Sequence, residues 1–326
     1  MSASVSIEIH SSQFPENVRR DLLESLRIRK INHKFHYDSV KQTQKWLALH
    51  QQFSPSRNDE NVRAIYKQCF EAAAAKIKSK SVHVIGLGCG GGQKDARLLK
   101  LLKARGREIF YTPCDVSLAM VLTARHTALA VLPEKNCFPF VCDLAAAADL
   151  SAIFDSRFTI HDSRIVTFFG MIPNFEPREI LPKLAALTHP KDFLLFSANL
   201  APGENYAAGM KKILPQYDNP PTRDWLMTFS QDLGIEKHAG ELRFEIEIDG
   251  FGLKRIVARF HFTHACRIEI ENEFFNFKAG EKIRLFFSCR HTPERIRKIL
   301  ASYKLEVCEQ WIAKSEEEGV FLCRRK

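Results

Sequence analysis

The feature that most constrains the fold is residues 84–99, VIGLGCGGGQKDARLL. Five glycines fall within seven residues, between the apolar run SVHVIGLG and a leucine-rich segment, KDARLLKLLKARG, that Gly106 closes. A short apolar run into glycine reads as a buried strand, and the segment after it as a helix. Glycine lets a ligand approach the main chain without a Cβ in the way. Strand, glycine turn and helix together predict the opening unit of a parallel sheet whose ligands bind beyond the carboxyl ends of its strands.

The rest of the first two thirds agrees with that reading. NVRAIYKQCFEAAAAKIK has helical spacing, with Ile65, Cys69 and Ala73 at four-residue steps. IFYTPCDVS, NCFPFVCDL, SRIVTFFG and DFLLFSANL read as four more strands, with Pro139 weakening NCFPFVCDL. SLAMVLTARHTALAVL and EPREILPKLAALTHP read as helices between them. Strands alternating with helices predict an α/β fold, a doubly wound Rossmann-like sheet covered on both faces. Past residue 200 the pattern changes to helical segments broken at Asn219-Pro220-Pro221, then to alternating runs around Asp249-Gly250, a hairpin signal. Thr292-Pro293 opens a last helix, and KLEVCEQWIAK and EEGVFLCRR close the chain as strands.

Composition narrows the class. At 326 residues and 45% apolar, the chain suits one large or two smaller domains. It has no apolar run long enough for a membrane helix, and its N-terminus lacks a basic-then-apolar signal, so a cytoplasmic protein with no membrane partner is expected. The nine cysteines form no CxxC pair and read as free thiols. His261 and His264, placed on one strand, would point to opposite faces, so no metal is expected. The net charge of +10 is dispersed rather than gathered with aromatics on one face, which argues against nucleic acid.

Within the turn, Gly88, Gly90 and Gly92 form a GxGxG, while Gly86, Gly88 and Gly91 also satisfy GxGxxG. Either register needs an acid at the end of the second strand for a ribose diol, and Asp115 in PCDVS stands there. Lys94 follows the glycines and could supply positive charge; Asp143 in VCDL could read an adenine amino group or simply cap a helix. These residues leave two cofactors open: a dinucleotide, or an adenosyl sulfonium.

Several segments together resemble a known family. KFHYD (34–38), FSPSR (53–57), GLGCGGGQK (86–94), PCDVS (113–117), FFGMIPNFEP (168–177), QYDN (216–219) and FKAGEKIRLFFSCR (277–290) are similar, in order, to the S-adenosylmethionine-dependent histidine Nα-methyltransferases of ergothioneine biosynthesis. That family also includes fungal dimethylallyltryptophan N-methyltransferases. The resemblance implies a methyltransferase domain of residues 58–200 with 289–326. It also implies an α+β substrate-binding domain of residues 1–57 with 201–288. It implies cofactor contacts at Gly88, Gly90, Gly92 and Lys94, a ribose acid at Asp115 and an adenine-reading acid at Asp143. It assigns Tyr37 to the lining of cofactor and substrate, Asn174 and Tyr217 to the substrate's α-amino acid head, and Ser288 to its side chain. Tyr37 and Tyr217 are the catalytic candidates, chiefly for positioning.

The chain also departs from the family. The acid often found before the first glycine of the turn is Gly86, the second tyrosine of the YYPTR-like segment is Ser54, and Pro173 precedes Asn174 in a shortened stretch. The glutamate that would face an imidazole is Phe286. A phenyl ring cannot pair with an imidazole, and a pocket stripped of its hydrogen-bonding partner loses its preference for the substrate that used it. The expectation is an N-methyltransferase of secondary metabolism acting on an amino acid or small amine other than histidine. Phe251, Phe274, Phe275, Phe277, Phe286 and Phe287 are candidates for an apolar lining, though strand phenylalanines ordinarily serve a core. The rival expectations are an NAD-dependent oxidoreductase, a non-catalytic methyltransferase-like binding protein and, more weakly, an RNA methyltransferase.

Overall fold

The computed structural model describes residues 4–157 and 163–326. They fall into two compact units, one within residues 1–13, 55–200 and 291–326, the other made of 14–54 and 201–290. In chain order the strands are β1 (Glu8–Ile9), β2 (Ser81–Leu87), β3 (Glu108–Asp115), β4 (Phe140–Val141), β5 (Arg164–Phe168), β6 (Phe193–Asn199), β7 (Gly240–Ile248), β8 (Lys254–Phe262), β9 (Cys266–Ile270), β10 (Glu273–Phe277), β11 (Lys282–Arg290), β12 (Leu305–Ile312) and β13 (Glu318–Arg325).

The first unit holds an eight-stranded sheet in the order β1-β4-β3-β2-β5-β6-β13-β12. From β1 to β6 every pairing is parallel; β13 lies antiparallel to β6 and β12 antiparallel to β13. The strand order reverses at β2, whose neighbours are β3 on one side and β5 on the other. Side chains alternate between two cores, as the period of a strand requires. Val82 and Val84 pack with the helices Glu60–Lys76, Gln93–Ala104 and Leu118–Leu129. Ile85 and Leu87 pack with the helices Pro177–Leu187 and Pro293–Ser302.

Two sequence expectations change here. NCFPFVCDL yields only the two-residue β4: Cys137 bridges Tyr111 on one side of Pro139 and Phe140 pairs with Cys114 on the other, and proline has no N–H for the position between. The resemblance implies that residues 1–57 belong to the substrate-binding domain, yet Glu8 and Ile9 pair with Phe140 and Val141 and extend the first unit's sheet. Their short length and exposed side chains gave no strand pattern to read.

The second unit has a three-stranded antiparallel sheet, β11-β8-β7, and a separate hairpin of β9 and β10. Residues 29–31 run along β11: Ile31 N–H donates to Arg284 O at 2.8 Å, and Arg284 N–H to Arg29 O at 3.0 Å. That pairing ties the N-terminal segment to the insertion. Trp225, Leu226 and Phe229 of the helix Pro220–Asp232 pack with Phe35, Phe260, Ile283 and Phe286. Asn219 caps that helix, its side chain accepting from Thr222 N–H at 2.9 Å, so the Asn-Pro-Pro that reads as a break is a helix start. His264 lies in a bend after β8 ends at Phe262 and does not share a strand with His261.

Candidate active site

In the first unit, the turn after β2 carries Gly88, Gly90 and Gly92 at φ of +62°, +51° and +74°. A Cβ on Gly88 would lie 2.4 Å from Met171 Sδ, and one on Gly92 would lie 2.8 Å from Ala124 Cα. All three favour glycine for conformation, and Gly92 needs it for space as well, because the helix backbone at Ala124 cannot shift as the Met171 side chain can. Cys89 N–H donates to Cys114 O at 3.0 Å, lacing the turn to the end of β3. Next to Cys114, Asp115 is buried. Its Oδ2 accepts from Gly90 N–H at 3.0 Å and its Oδ1 from Ser117 N–H at 3.1 Å. Burial raises its pKa, and these amide hydrogen bonds oppose the rise. The carboxylate predicted from 25 residues away is thus clamped onto the glycine turn.

Lys94 opens the helix Gln93–Ala104. Its ammonium donates to Tyr66 Oη at 2.9 Å and lies 4.6 Å from that ring's centre. Tyr66 Oη in turn lies 2.5 Å from Glu318 Oε1 on β13 and 2.9 Å from Ser197 Oγ on β6. Burial lowers the Lys94 pKa, and the nearby Glu318 charge raises it. Burial, with the Glu318 charge, holds the Tyr66 phenol well above its ordinary value. Neither Tyr66 nor Glu318 was singled out in the sequence; Glu318 comes from a strand over two hundred residues away and has no local signature.

Asp143 sits just past β4, and Cys142 N–H donates to Asp115 O at 2.9 Å, which places the two strand ends side by side. Asp143 Oδ1 accepts from Ala145 N–H at 2.9 Å and Ala146 N–H at 3.4 Å, but these residues form a turn and the next helix starts only at Leu150, so the expected helix cap is a side-chain-braced turn instead. Asn174 ends the short 3-10 helix Ile172–Asn174 beyond β5, half-buried. The same loop brings Met171 against Gly88, a neighbour that sequence reasoning missed although it lies inside FFGMIPNFEP.

In the second unit, Tyr217, Phe286 and Ser288 come together. Tyr217 Oη lies 2.7 Å from Ser288 Oγ, and its ring centre is 6.2 Å from that of Phe286. Phe286 also meets Trp225 edge-on at 5.9 Å and His33 at 5.1 Å. Tyr37 joins through Trp225 at 5.6 Å and Trp46 at 5.8 Å. Arg290, at the end of FFSCR, is buried and donates to Tyr217 Oη from Nε at 3.2 Å and Nη2 at 3.0 Å. It was not among the expected site residues. Of the six candidate phenylalanines, Phe251 and Phe274 are 62% and 48% exposed, Phe275 is half-buried, and Phe277 belongs to the core. A bulge at Leu285 shifts the register of β11 between Arg284 and Phe286, so both Phe286 and Phe287 are buried although they are adjacent.

The first unit thus gathers bare main chain, a fixed buried carboxylate and a buried ammonium at and just after one turn. The chain matches the family described as histidine-specific methyltransferase, SAM-dependent, over residues 18–325. The N-methyltransferase imqF of Aspergillus flavus is 24% identical over 250 residues, covering 74% of this chain and 67% of that protein. Similar solved structures include magnesium protoporphyrin IX methyltransferase from Synechocystis PCC 6803 with bound SAH, at TM-score 0.45 and 13% identity, covering 90% of this chain and 98% of that one. Another is the CcbJ methyltransferase of Streptomyces caelestis, at TM-score 0.39 and 13% identity, covering 80% and 95%. Among the described residues, no helix is long and apolar enough to cross a membrane.

Proposed function

Because this chain belongs to the S-adenosylmethionine-dependent methyltransferase family whose description names histidine, we propose that it methylates the amino nitrogen of an amino acid or small amine with an apolar or aromatic side chain, and not histidine. Bound at the glycine turn, S-adenosylmethionine supplies a methyl group on a sulfonium, and the thioether that leaves is neutral. The chain's own residues then have two tasks. One is to hold the cofactor, with Asp115 for the ribose, Lys94 for the carboxylate end, Asp143 for the adenine, and Gly88, Gly90 and Gly92 for close main-chain approach. The other is to orient an amine whose lone pair is free, a contribution that effective-concentration arguments put at several orders of magnitude. The family resemblance gives that task to Asn174 in the first unit and to Tyr217 and Ser288 in the second, where Tyr37 packs on Trp225.

The observation that carries the choice of acceptor is the setting of Phe286. It is 7% exposed and sits against Trp225, Tyr217 and His33. Among the described residues, the rings against Phe286 are those of Trp225, Tyr217 and His33, and none carries a carboxylate like the glutamate that the resemblance implies at this position. Burial depresses the His33 pKa well below its ordinary value, with His36 and the Arg284 charge acting in the same direction, which disfavours a positive charge on that imidazole. The relative imqF is named an N-methyltransferase, which agrees with nitrogen as the acceptor atom.

The test is a mass-spectrometric screen of the purified protein with S-adenosylmethionine and a panel of amino acids and amines. Phenylalanine, tyrosine, tryptophan or their derivatives should gain a methyl group and histidine should not. Phe286→Glu should lower turnover of the aromatic acceptor and raise that of histidine, with a discrimination change of about tenfold or more. Methylation of histidine by the unaltered protein in preference to every aromatic acceptor would overturn the reading.

A further inference from the structure

A second buried carboxylate lies behind the glycine turn, and none of the roles above uses it. Asp95, in the first turn of the helix Gln93–Ala104, is 3% exposed. Its Oδ2 accepts from Tyr111 Oη at 2.7 Å and its Oδ1 from Thr167 Oγ1 at 2.8 Å. Tyr111 is on β3 and Thr167 on β5, the two strands that flank β2. Between them, on β2, stands Gly86, which pairs with Pro113 and with Thr167. A Cβ built on Gly86 would lie 2.3 Å from Asp95 Oδ2 and 3.1 Å from Tyr111 Oη. The Asp95 carboxylate therefore fills the room that any side chain at position 86 would need. Gly86 has no positive φ to require glycine, so space alone accounts for its identity.

Position 86 is also where the family resemblance leads one to expect an acid. We propose that Asp95 is the acidic positioning residue of the cofactor half-site, and that it delivers from the helix the carboxylate that Gly86 cannot deliver from the strand. Two features favour a carboxylate there. It lies in the first turn of a helix, where the macrodipole stabilises negative charge. Two hydroxyl donors converge on it, and they offset part of the cost of burying it. The consequence is mechanical. Asp95 ties the start of the helix to β3 and β5 at once, and the turn Gly88–Gly92 is the only chain between that helix and β2. Fixing both ends of the turn fixes the path of its amides, which the cofactor must meet without rearrangement.

Adenosylhomocysteine binding, measured by calorimetry, reads this role with no acceptor present, so the result does not depend on the acceptor proposed above. Asp95→Ala should weaken binding about tenfold or more, because it leaves two buried hydroxyls without their acceptor. Gly86→Asp alone should also weaken it, since the new side chain collides with Asp95. The double variant G86D/D95A should bind more tightly than either single variant, because one acid then occupies the shared space from the other side. Thermal melts of each variant separate folding from binding. Where Asp95→Ala fails to fold, Asp95→Asn keeps an acceptor and the side-chain shape, and should still weaken binding several-fold. The proposal is overturned if folded Asp95→Ala or Asp95→Asn binds adenosylhomocysteine as the unaltered protein does. It is overturned equally if the double variant binds no more tightly than the better-binding of the two single variants.

Discussion

At Tyr217 the direction of hydrogen bonding is decided by chemistry. A guanidinium can only donate, so Tyr217 Oη accepts from Arg290 through both Nε and Nη2. With its lone pairs engaged, the phenol turns its proton toward Ser288 Oγ, 2.7 Å away. Ser288 and Arg290 are buried and Tyr217 is half-buried between them, so the three groups act as one connected network rather than as independent contacts. Tyr217 in this arrangement positions Ser288, accepting from Arg290 and donating to Ser288. Tyr217→Phe and Ser288→Ala should therefore be coupled. Each alone should lower kcat/KM for the acceptor, and the double variant should fall short of the sum by on the order of 1 kcal/mol. Additive losses in steady-state kinetics would show that the two hydroxyls serve separate purposes. Arg290 shows why such a residue escapes a reading of the sequence: it stands two places from Ser288 in FFSCR, but nothing local announces that it reaches back to Tyr217.

The glycine turn is the element on which the proposed cofactor half-site depends, and its glycines are not equivalent to others in the chain. Gly92 has φ +74° and a Cβ there would meet the main chain of Ala124 at 2.8 Å. Gly106 has nearly the same φ, +73°, with nothing within 4 Å of its Cβ position. Gly106→Ala should cost roughly 1 kcal/mol of stability, the strain of an L-residue in left-handed conformation. Gly92→Ala should cost more, because helix backbone cannot move aside as a flexible side chain can, and it should also weaken adenosylhomocysteine binding. Equal urea midpoints for the two variants would contradict this account. This turn, β2, β3 and Asp115 were legible because each is a local pattern: an apolar run, a glycine cluster, an acid at a strand end. The bulge at Leu285, the pairing of residues 29–31 with β11, and the Lys94–Tyr66–Glu318 chain were not, because each depends on contacts between segments far apart in sequence. NCFPFVCDL lies between these cases, since Pro139 signalled a weak strand but not one cut to two residues.

At the scale of the whole molecule, stability depends on pH through a group buried in the second unit. His36 is fully buried, and its Nε2 lies 2.7 Å from Leu285 O. A carbonyl only accepts, so Nε2 carries the proton and donates, while Nδ1 finds no hydrogen-bond partner among the described residues. The ring is enclosed by Trp225 at 5.4 Å, Phe229 at 6.0 Å and His33 at 6.4 Å, so no neighbouring ring offers a negative charge to a second proton. Burial accordingly lowers the His36 pKa to about 4, against a small opposing effect of the bond to Leu285. Between that value and the ordinary value of 6.5 the unfolded chain binds a proton that the folded one refuses. Stability contributed by the neutral ring is complete above the unfolded pKa and is lost as pH falls from there toward 4, by on the order of 3 kcal/mol over the full window. His33, lowered in the same direction, adds to the same slope. Urea denaturation at a series of pH values should show the midpoint falling steadily from neutral to acid pH. His36→Phe keeps an aromatic ring in the same packing and removes the titration. It should be less stable at neutral pH, because Leu285 O loses its donor, and should lose less of its stability on acidification than the unaltered chain. Parallel pH profiles for the two proteins would mean that the acid sensitivity arises elsewhere in the fold.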